Sequence, residues 1–356
     1  MAGGTGKRLW PLSREKRPKQ LIELFDGQSL LRRCFDRLSP VFDGRNIIVL
    51  TNAGYADIVR ENVPGIPYDN VIAEPAVRDT AGAIGLAATI LTKSDSDATM
   101  AVVTADQIIE PADVFQQAVK DAMTFVDAVP EALVTFGIKP TFASTQLGYI
   151  KLGKAHRNSK CRNEIYSVQG FREKPAEKTA VGYVQSGDYF WNSGMFIWKA
   201  QTILADLKEL VPETVGPLDE IHKAWDSPQQ EEILEESFPK LPKISIDYAV
   251  MEKSHNVHAI KLKCRWLDMG SFAALAEIIT SDKDNNVIVA ETSELLDCKD
   301  SIIVTEQKGH LIAAIGLDNM VVAHSPDATL ICHIDQTQRL KELLALMKKH
   351  GRDTFL

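Results

Sequence analysis

The sequence predicts an α/β protein: a Rossmann-like, mostly parallel sheet, then a small β-rich unit of β-helix-like character and a terminal helix. Three observations predict it. Apolar strand-like runs alternate with helical segments from Ser29 to about Ile138, the pattern of a parallel sheet with right-handed crossovers. A glycine-rich turn opens the chain. Beyond about Asp284 short β-like pieces recur every ten residues or so, as in a stacked β unit. The division expected is a catalytic domain over 1–283 and a β-rich unit with its helix over 284–356.

The elements follow in order. Ser29–Leu38 has helical periodicity, Asn46–Asn52 reads as a buried strand, and Asp57–Glu61 as a short helix. A strand ends at Glu74 and Pro75, and the small-residue run from Asp79 predicts a helix packed close to a sheet. ATMAVVTADQII reads as one buried strand running through Asp106, with a helix over Val114–Asp127 and a strand in ALVTFGI. From about Gln146 the strands LGYIKLG and EIYSVQGF suggest a smaller mixed sheet, ending at Arg172, Glu173 and Lys174. The aromatic-rich GDYFWNSGMFIW and two or three helices come next. Ile246–Lys253 then reads as a helix, VHAIKL as a strand, and WLDMGSF follows from Trp266. NVIVA, SIIVT, LIAAIG, MVVAH and ATLIC are the short β pieces, and QTQRLKELLALMKKHG is an amphipathic helix.

Composition narrows the function. With 356 residues, 45% hydrophobic and 25% charged, the chain is long enough for one large and one small domain. A net charge of −8 argues against nucleic acid as a partner, which would need a broad basic face. Five scattered cysteines without metal-binding spacing fit free thiols in a reducing cytoplasm. No apolar run approaches the roughly 20 residues of a membrane span, so no membrane partner is expected. Against this acidic background the first twenty residues stand out: Lys7, Arg8, Arg14, Lys16, Arg17 and Lys19 against Glu15 alone, behind Gly3, Gly4 and Gly6. Glycines let backbone N–H groups approach a ligand closely, so the segment suits a polyphosphate. It is not a Walker loop, since Arg8 follows Lys7, nor a dinucleotide fingerprint, since Leu9 stands at the last glycine position.

GGTGKRLWPLS followed by RPKQ resembles the signature of sugar-nucleotide pyrophosphorylases, most closely the mannose-1-phosphate guanylyltransferases. EPAVRDTAGAI, FREKP, NSG, SIDYAVMEK and WLDMGSF match further family segments in the family's order, from about Ala2 to Phe272. Taken singly, Asn192-Ser193-Gly194 would be an ordinary turn and Glu173-Lys174 a solvated pair; it is the succession that is specific. The resemblance implies GTP and mannose 1-phosphate as substrates, GDP-mannose and diphosphate as products, and Mg²⁺ as cofactor. It implies that Gly3, Gly4, Gly6 and Arg8 face the triphosphate, with Lys19 close to the reacting phosphates. Glu74 and Arg78 would flank the guanine. Glu173, Lys174, Asn192, Ser193 and Gly194 would hold the sugar phosphate, with Asp247 nearby. Asp106 and Asp268 would share the metal, and Arg8, Lys19 and Lys174 would be catalytic.

The resemblance also carries departures. Asp79 stands where the family usually has asparagine, Gly82 where proline is common, and Gln107 replaces a frequent histidine. The family delivers its glycine turn from a hydrophobic strand. Met1 stands where that strand would end, so the first strand is expected to be missing and a neighbour left unpaired. A homodimer is expected, through the β-rich unit and its helix. Two other readings remain open: a pyrophosphorylase for another nucleotide and sugar phosphate, and an inactive regulatory homologue that binds sugar nucleotides.

Overall fold

The computed structural model describes residues 1–3, 6–24, 27–156 and 160–356. Helix α1 (Leu30–Leu38) starts where Ser29 Oγ accepts from the Arg32 N–H at 3.0 Å, a side-chain cap. Strand β1 (Val49–Asn52) and helix α2 (Ala56–Asn62) lead to β2 (Val71–Glu74), which pairs parallel with β1. Helix α3 (Asp79–Ser94) is buried through the Ala81–Ile90 stretch. Its glycines and alanines let neighbours approach: a Cβ on Gly85 would stand 3.0 Å from Leu218 Cδ1 and 3.4 Å from Leu207 Cδ1.

The run expected as one strand is two. Strand β3 (Thr99–Val102) joins the main sheet, whereas β4 (Gln107–Glu110) belongs to a separate pair. Asp106 lies in the turn between them. The apolar run is continuous because both strands are buried, so hydrophobicity gives no sign of the hop. Helix α4 (Ala112–Ala128), strands β5 (Leu133–Ile138), β6 (Tyr149–His156) and β7 (Ile165–Arg172), helix α5 (Glu177–Ser186) and the long strand β8 (Tyr189–Lys199) follow. Then come α6 (Ala200–Leu210), α7 (Val215–Ala224) and α8 (Gln230–Ser237). The expected helix after Ile246 is a π-helical turn over Asp247–Met251. Strand β9 (Val257–Lys261) returns to the sheet, and β10 (Arg265–Asp268) pairs antiparallel with β4.

Among the described residues the six-stranded sheet has the order β3-β8-β5-β9-β7-β6. β8 runs antiparallel to both β3 and β5, while β9 is parallel to β5. Strands β3, β5 and β9 therefore point one way, with β8 inserted against them. Met1 and Ala2 tie β1 and β2 to the same direction. The Met1 amine donates to the Val103 carbonyl at 2.8 Å and Ala105 N–H donates to the Met1 carbonyl at 3.1 Å; Ala2 N–H donates to the Leu50 carbonyl at 2.9 Å. This is the parallel pattern, with Met1 opposite Thr104 and Ala2 opposite Thr51. Behind these two residues β1 and β3 face each other across a cavity of about 1160 Å³, lined by residues such as Ile48, Leu50, Ile84, Met100, Val102 and Met123.

Short helix α9 (Ala273–Ala276) precedes the β-rich unit. There β11 (Val287–Val289), β13 (Ile302–Thr305) and β15 (Met320–Ser325) stack in parallel, as do β12 (Thr292–Leu296) and β14 (Leu311–Ile315). β16 (Ala328–His333) closes the first stack antiparallel, and α10 (Leu340–Lys349) follows. Two parallel ladders built from successive short strands are the turns of a β-helix, as expected. This unit shares a core with the chain's basic opening: Leu9, Trp10, Leu12 and Ile22 pack with Val304, Val321 and Leu340. Arg17 Nη2 donates to Glu306 Oε1 at 3.1 Å, and Arg14 pairs with Asp327. Two of the basic residues in the opening stretch are thus engaged in docking the C-terminal unit.

Candidate active site

The turn after β3 and the end of β10 bring Asp106 and Asp268 together around Lys19. Lys19 Nζ lies 2.7 Å from Asp106 Oδ2 and 3.5 Å from Asp268 Oδ1. Burial alone would lower the pKa of this ammonium, but the two carboxylates outweigh it and hold the pKa above its usual value. Burial pushes Asp268 up, opposed by Lys19 and reinforced by the Asp106 charge. Gly6 makes the arrangement possible. It has φ +65°, and a Cβ there would stand 2.5 Å from Lys19 Cβ. Gly270 brings Arg8 to the same group: a Cβ on it would lie 3.3 Å from Asp268 Oδ2 and 3.4 Å from Arg8 Nη2. Gly4 lies outside the described residues.

A second group gathers on the other side of β4. Lys174 Nζ pairs with Glu173 Oε1 at 2.8 Å, and Glu173 is buried. Asn192 Nδ2 donates to Asp247 Oδ1 at 2.8 Å, and Thr135 Oγ1 donates to Asn192 Oδ1 at 2.8 Å. Burial, and then the Glu173 charge, raise Asp247 to about 7. Glu252 Oε1 accepts from the Glu173 N–H at 2.7 Å. Ser193 is buried, and Gly194 has φ +70°. A Cβ on Gly148 would fall 2.4 Å from Glu173 Oε2 and 3.3 Å from Asn192 Cβ, so a side chain there would push the Glu173 carboxylate aside.

The third group sits at the end of β2. A Cβ on Gly3 would lie 3.5 Å from Glu74 Oε2. Burial raises Glu74 to about 7, partly offset by the Met1 ammonium. Arg78 has a buried Nε with no hydrogen-bond partner among the described residues, and Asp79 beside it adopts φ +62°. Gly82, at the position where the family prefers proline, stands so near the preceding turn that a Cβ would meet Arg78 Cβ at 2.7 Å.

The residues singled out in the sequence therefore fall into three adjoining groups: Arg8, Lys19, Asp106 and Asp268; Glu173, Lys174, Asn192, Ser193, Gly194 and Asp247; Gly3, Glu74 and Arg78. Sequence reasoning missed Thr135, Glu252 and Gln107. Thr135 is fully buried inside an apolar strand, and Glu252 is the last residue but one of a matched segment. Gln107 drew notice only as a departure from the family.

A model of the family described as nucleotidyl transferase matches residues 1–285, and one described as MannoseP isomerase/GMP-like beta-helix domain matches residues 294–346. The chain belongs to the nucleotidyl transferase family. A mannose-1-phosphate guanylyltransferase of Klebsiella pneumoniae is 36% identical over 358 residues, covering 100% of this chain and 74% of the relative. The xanthan biosynthesis protein XanB of Xanthomonas campestris is equally similar, over 99% of this chain and 73% of that one. A solved structure of a mannose-1-phosphate geranyltransferase from Thermus thermophilus superimposes with a TM-score of 0.87 at 30% identity, covering 98% of both chains. In this nucleotidyl transferase the β-helix match follows the nucleotidyl transferase match along the chain. Among the described residues no helix is long and apolar enough to cross a membrane.

Proposed function

We propose that this nucleotidyl transferase is a mannose-1-phosphate guanylyltransferase, making GDP-mannose and diphosphate from GTP and mannose 1-phosphate. The observation that carries the reading is the Lys19 ammonium between Asp106 and Asp268, next to a buried carboxylate and amide group able to hold a sugar. The curated guanylyltransferase relatives support the choice of substrates. Closely set carboxylates, lysines and an arginine suit phosphates; nothing in this polar cluster suits an apolar prenyl chain.

The sugar phosphate brings its own anionic oxygen, so attack on the α-phosphorus needs no general base and no covalent intermediate. The work left to the protein is alignment and charge neutralisation. Arg8 and the glycine-turn amides neutralise the leaving diphosphate. Lys19 and Lys174 offset the repulsion between two anionic reactants. Glu173, Asn192 and Asp247 orient the sugar hydroxyls, and Glu74 and Arg78 select the base.

Asp106 and Asp268 have the donor chemistry for Mg²⁺, which binds through one or two carboxylates together with substrate phosphates. That they already gather a cation, Lys19, supports the fit. When bound, the metal would act as a Lewis acid and template on the reacting phosphates.

The test is diphosphate release from pairs of nucleoside triphosphates and sugar 1-phosphates, with Asp106→Asn and Asp268→Asn as controls. GTP with mannose 1-phosphate should be the best pair, and both variants should be folded and inactive. Wild-type-like turnover in either variant would remove the metal assignment. GDP-mannose binding without metal-dependent turnover would favour the regulatory reading.

A further inference from the structure

Gln107 connects the two halves of the site. It follows Asp106 directly and stands opposite Asp268 in the β4–β10 ladder. Its side chain is buried. Nε2 donates to the Ser193 carbonyl at 2.8 Å, and Oε1 accepts from Trp266 Nε1 at 2.9 Å. One amide therefore ties β10, which carries Asp268, to β8, which carries Asn192 and Ser193.

At that point β8 leaves its regular ladder. Thr135 of β5 faces Phe196, and Gly137 faces Asn192. Two steps along β5 thus answer four along β8, and the surplus is the bulge around Ser193 and Gly194. Bulges re-aim side chains and leave backbone groups without ladder partners. The Ser193 carbonyl is such a group, and a buried carbonyl needs a donor from somewhere. Gln107 supplies it. On the far side of the bulge Asn192 is held by Thr135 and in turn donates to Asp247.

We propose that Gln107 is a positioning residue whose amide sets the distance between the Asn192–Gly194 bulge and the Asp106–Asp268 pair. The inference rests on the reading of that bulge as the sugar-phosphate site. The position demands a neutral group offering one donor and one acceptor at once. A carboxylate would lose the donor to Ser193 and add a third negative charge beside two aspartates. A methionine keeps the length and loses both bonds. A neutral imidazole keeps one of each.

The experiment uses the full chain with Gln107→Met and Gln107→His beside the wild type, and measures kcat, the KM of each substrate and thermal stability. The wild type is first assayed against a panel of sugar 1-phosphates, and the pair it uses best serves throughout. Gln107→Met should raise the sugar-phosphate KM about tenfold or more, the effect of orphaning a buried polar group. It should leave the nucleotide KM within about twofold, and Gln107→His should recover most of the loss. An unchanged sugar-phosphate KM and kcat in Gln107→Met would overturn the proposal while leaving the proposed function intact. So would an equal rise in both KM values with loss of stability, the mark of a general packing role. A wild type that turns over no sugar phosphate would remove the proposal together with the functional reading.

Discussion

Extending the chain by four apolar residues ahead of Met1 should stabilise it strongly, because the space and hydrogen-bonding partners for a strand are already present. Parallel pairing of Met1 with Thr104 and Ala2 with Thr51 sets the register. Continued backwards, that register aims the N–H groups of Leu50, Ala101 and Val103 and the carbonyls of Ile48, Thr99 and Ala101 into the cavity. Among the described residues none of these six groups has a backbone partner on that side. At a net 0.5–1.5 kcal/mol each, pairing them is worth about 6 kcal/mol. Burying four apolar side chains adds about 8 kcal/mol, which ordering four residues offsets to within a few kcal/mol. The hydrogen bonds then set the outcome, a gain of roughly 5 kcal/mol, or about 10 °C in Tm for a chain of this size. An Ile-Val-Ile-Val extension is compared with Gly-Ser-Gly-Ser by thermal unfolding and amide exchange. The apolar extension should raise Tm and protect the Leu50, Ala101 and Val103 amides, and the Gly-Ser one should do neither. Equal Tm values and unprotected amides in both would refute the strand-acceptor reasoning and leave the cavity a mere packing void.

Two further predictions concern residues already named. Gly6→Ala should cost about 100-fold in turnover with smaller loss of stability, since the new methyl displaces Lys19 at 2.5 Å and positioning errors near an ångström have that effect; single-turnover rates would check it. Asp247→Asn should stabilise the protein by roughly 2–3 kcal/mol more at pH 8 than at pH 5. The sign follows from a folded pKa of about 7 against an ordinary value of 3.8: the protonated carboxyl is favoured in the fold, and that advantage is lost as pH rises from about 4 to 7. Thermal unfolding of variant and wild type at both pH values would check it, and a Tm difference independent of pH would count against it.

Much of the fold was legible because its elements carry local signals. Ser29 caps a helix, the small residues after Asp79 mark a close-packed one, and LVTFGI is buried throughout. The division of ATMAVVTADQII was not legible, because strands of two different sheets are equally apolar when both are buried. The strand Thr292–Leu296 was missed because it alternates exposed and half-buried positions. In the candidate site, the succession of motifs named residues that the fold brings together. Charge alone could not separate Arg14 and Arg17, which hold the C-terminal unit, from Arg8 and Lys19, because net charge says nothing about partners; only the resemblance set them apart. What Gln107 does was invisible for a related reason. Its role depends on a bulge in a strand 86 residues away, and no spacing in the sequence records that.

The glycine turn and Lys19 act as one device. Glycines in such a turn are usually explained by the approach of a ligand to backbone N–H groups. Gly6 has a second constraint, for its missing Cβ is the space that the Lys19 side chain crosses on its way to Asp106 and Asp268. Without that ammonium two partly buried carboxylates would face each other, and one would be driven to take up a proton. With it, an ammonium already stands where the two carboxylates converge, 2.7 Å from Asp106 and 3.5 Å from Asp268. Asp106 and Asp268 would hold a metal in place of that ammonium, and Lys19 would then be left to pair with substrate phosphates. The same lysine would thus serve the empty site and the loaded one, which would require a long, flexible side chain ending in a compact charge. An arginine at position 19 would satisfy the aspartates in one fixed geometry and resist the exchange. Lys19→Arg is therefore expected to fold normally, with a thermal midpoint near that of the wild type, and to need more Mg²⁺ for half-maximal turnover. An unchanged Mg²⁺ requirement would show that Lys19 does not trade places with the metal.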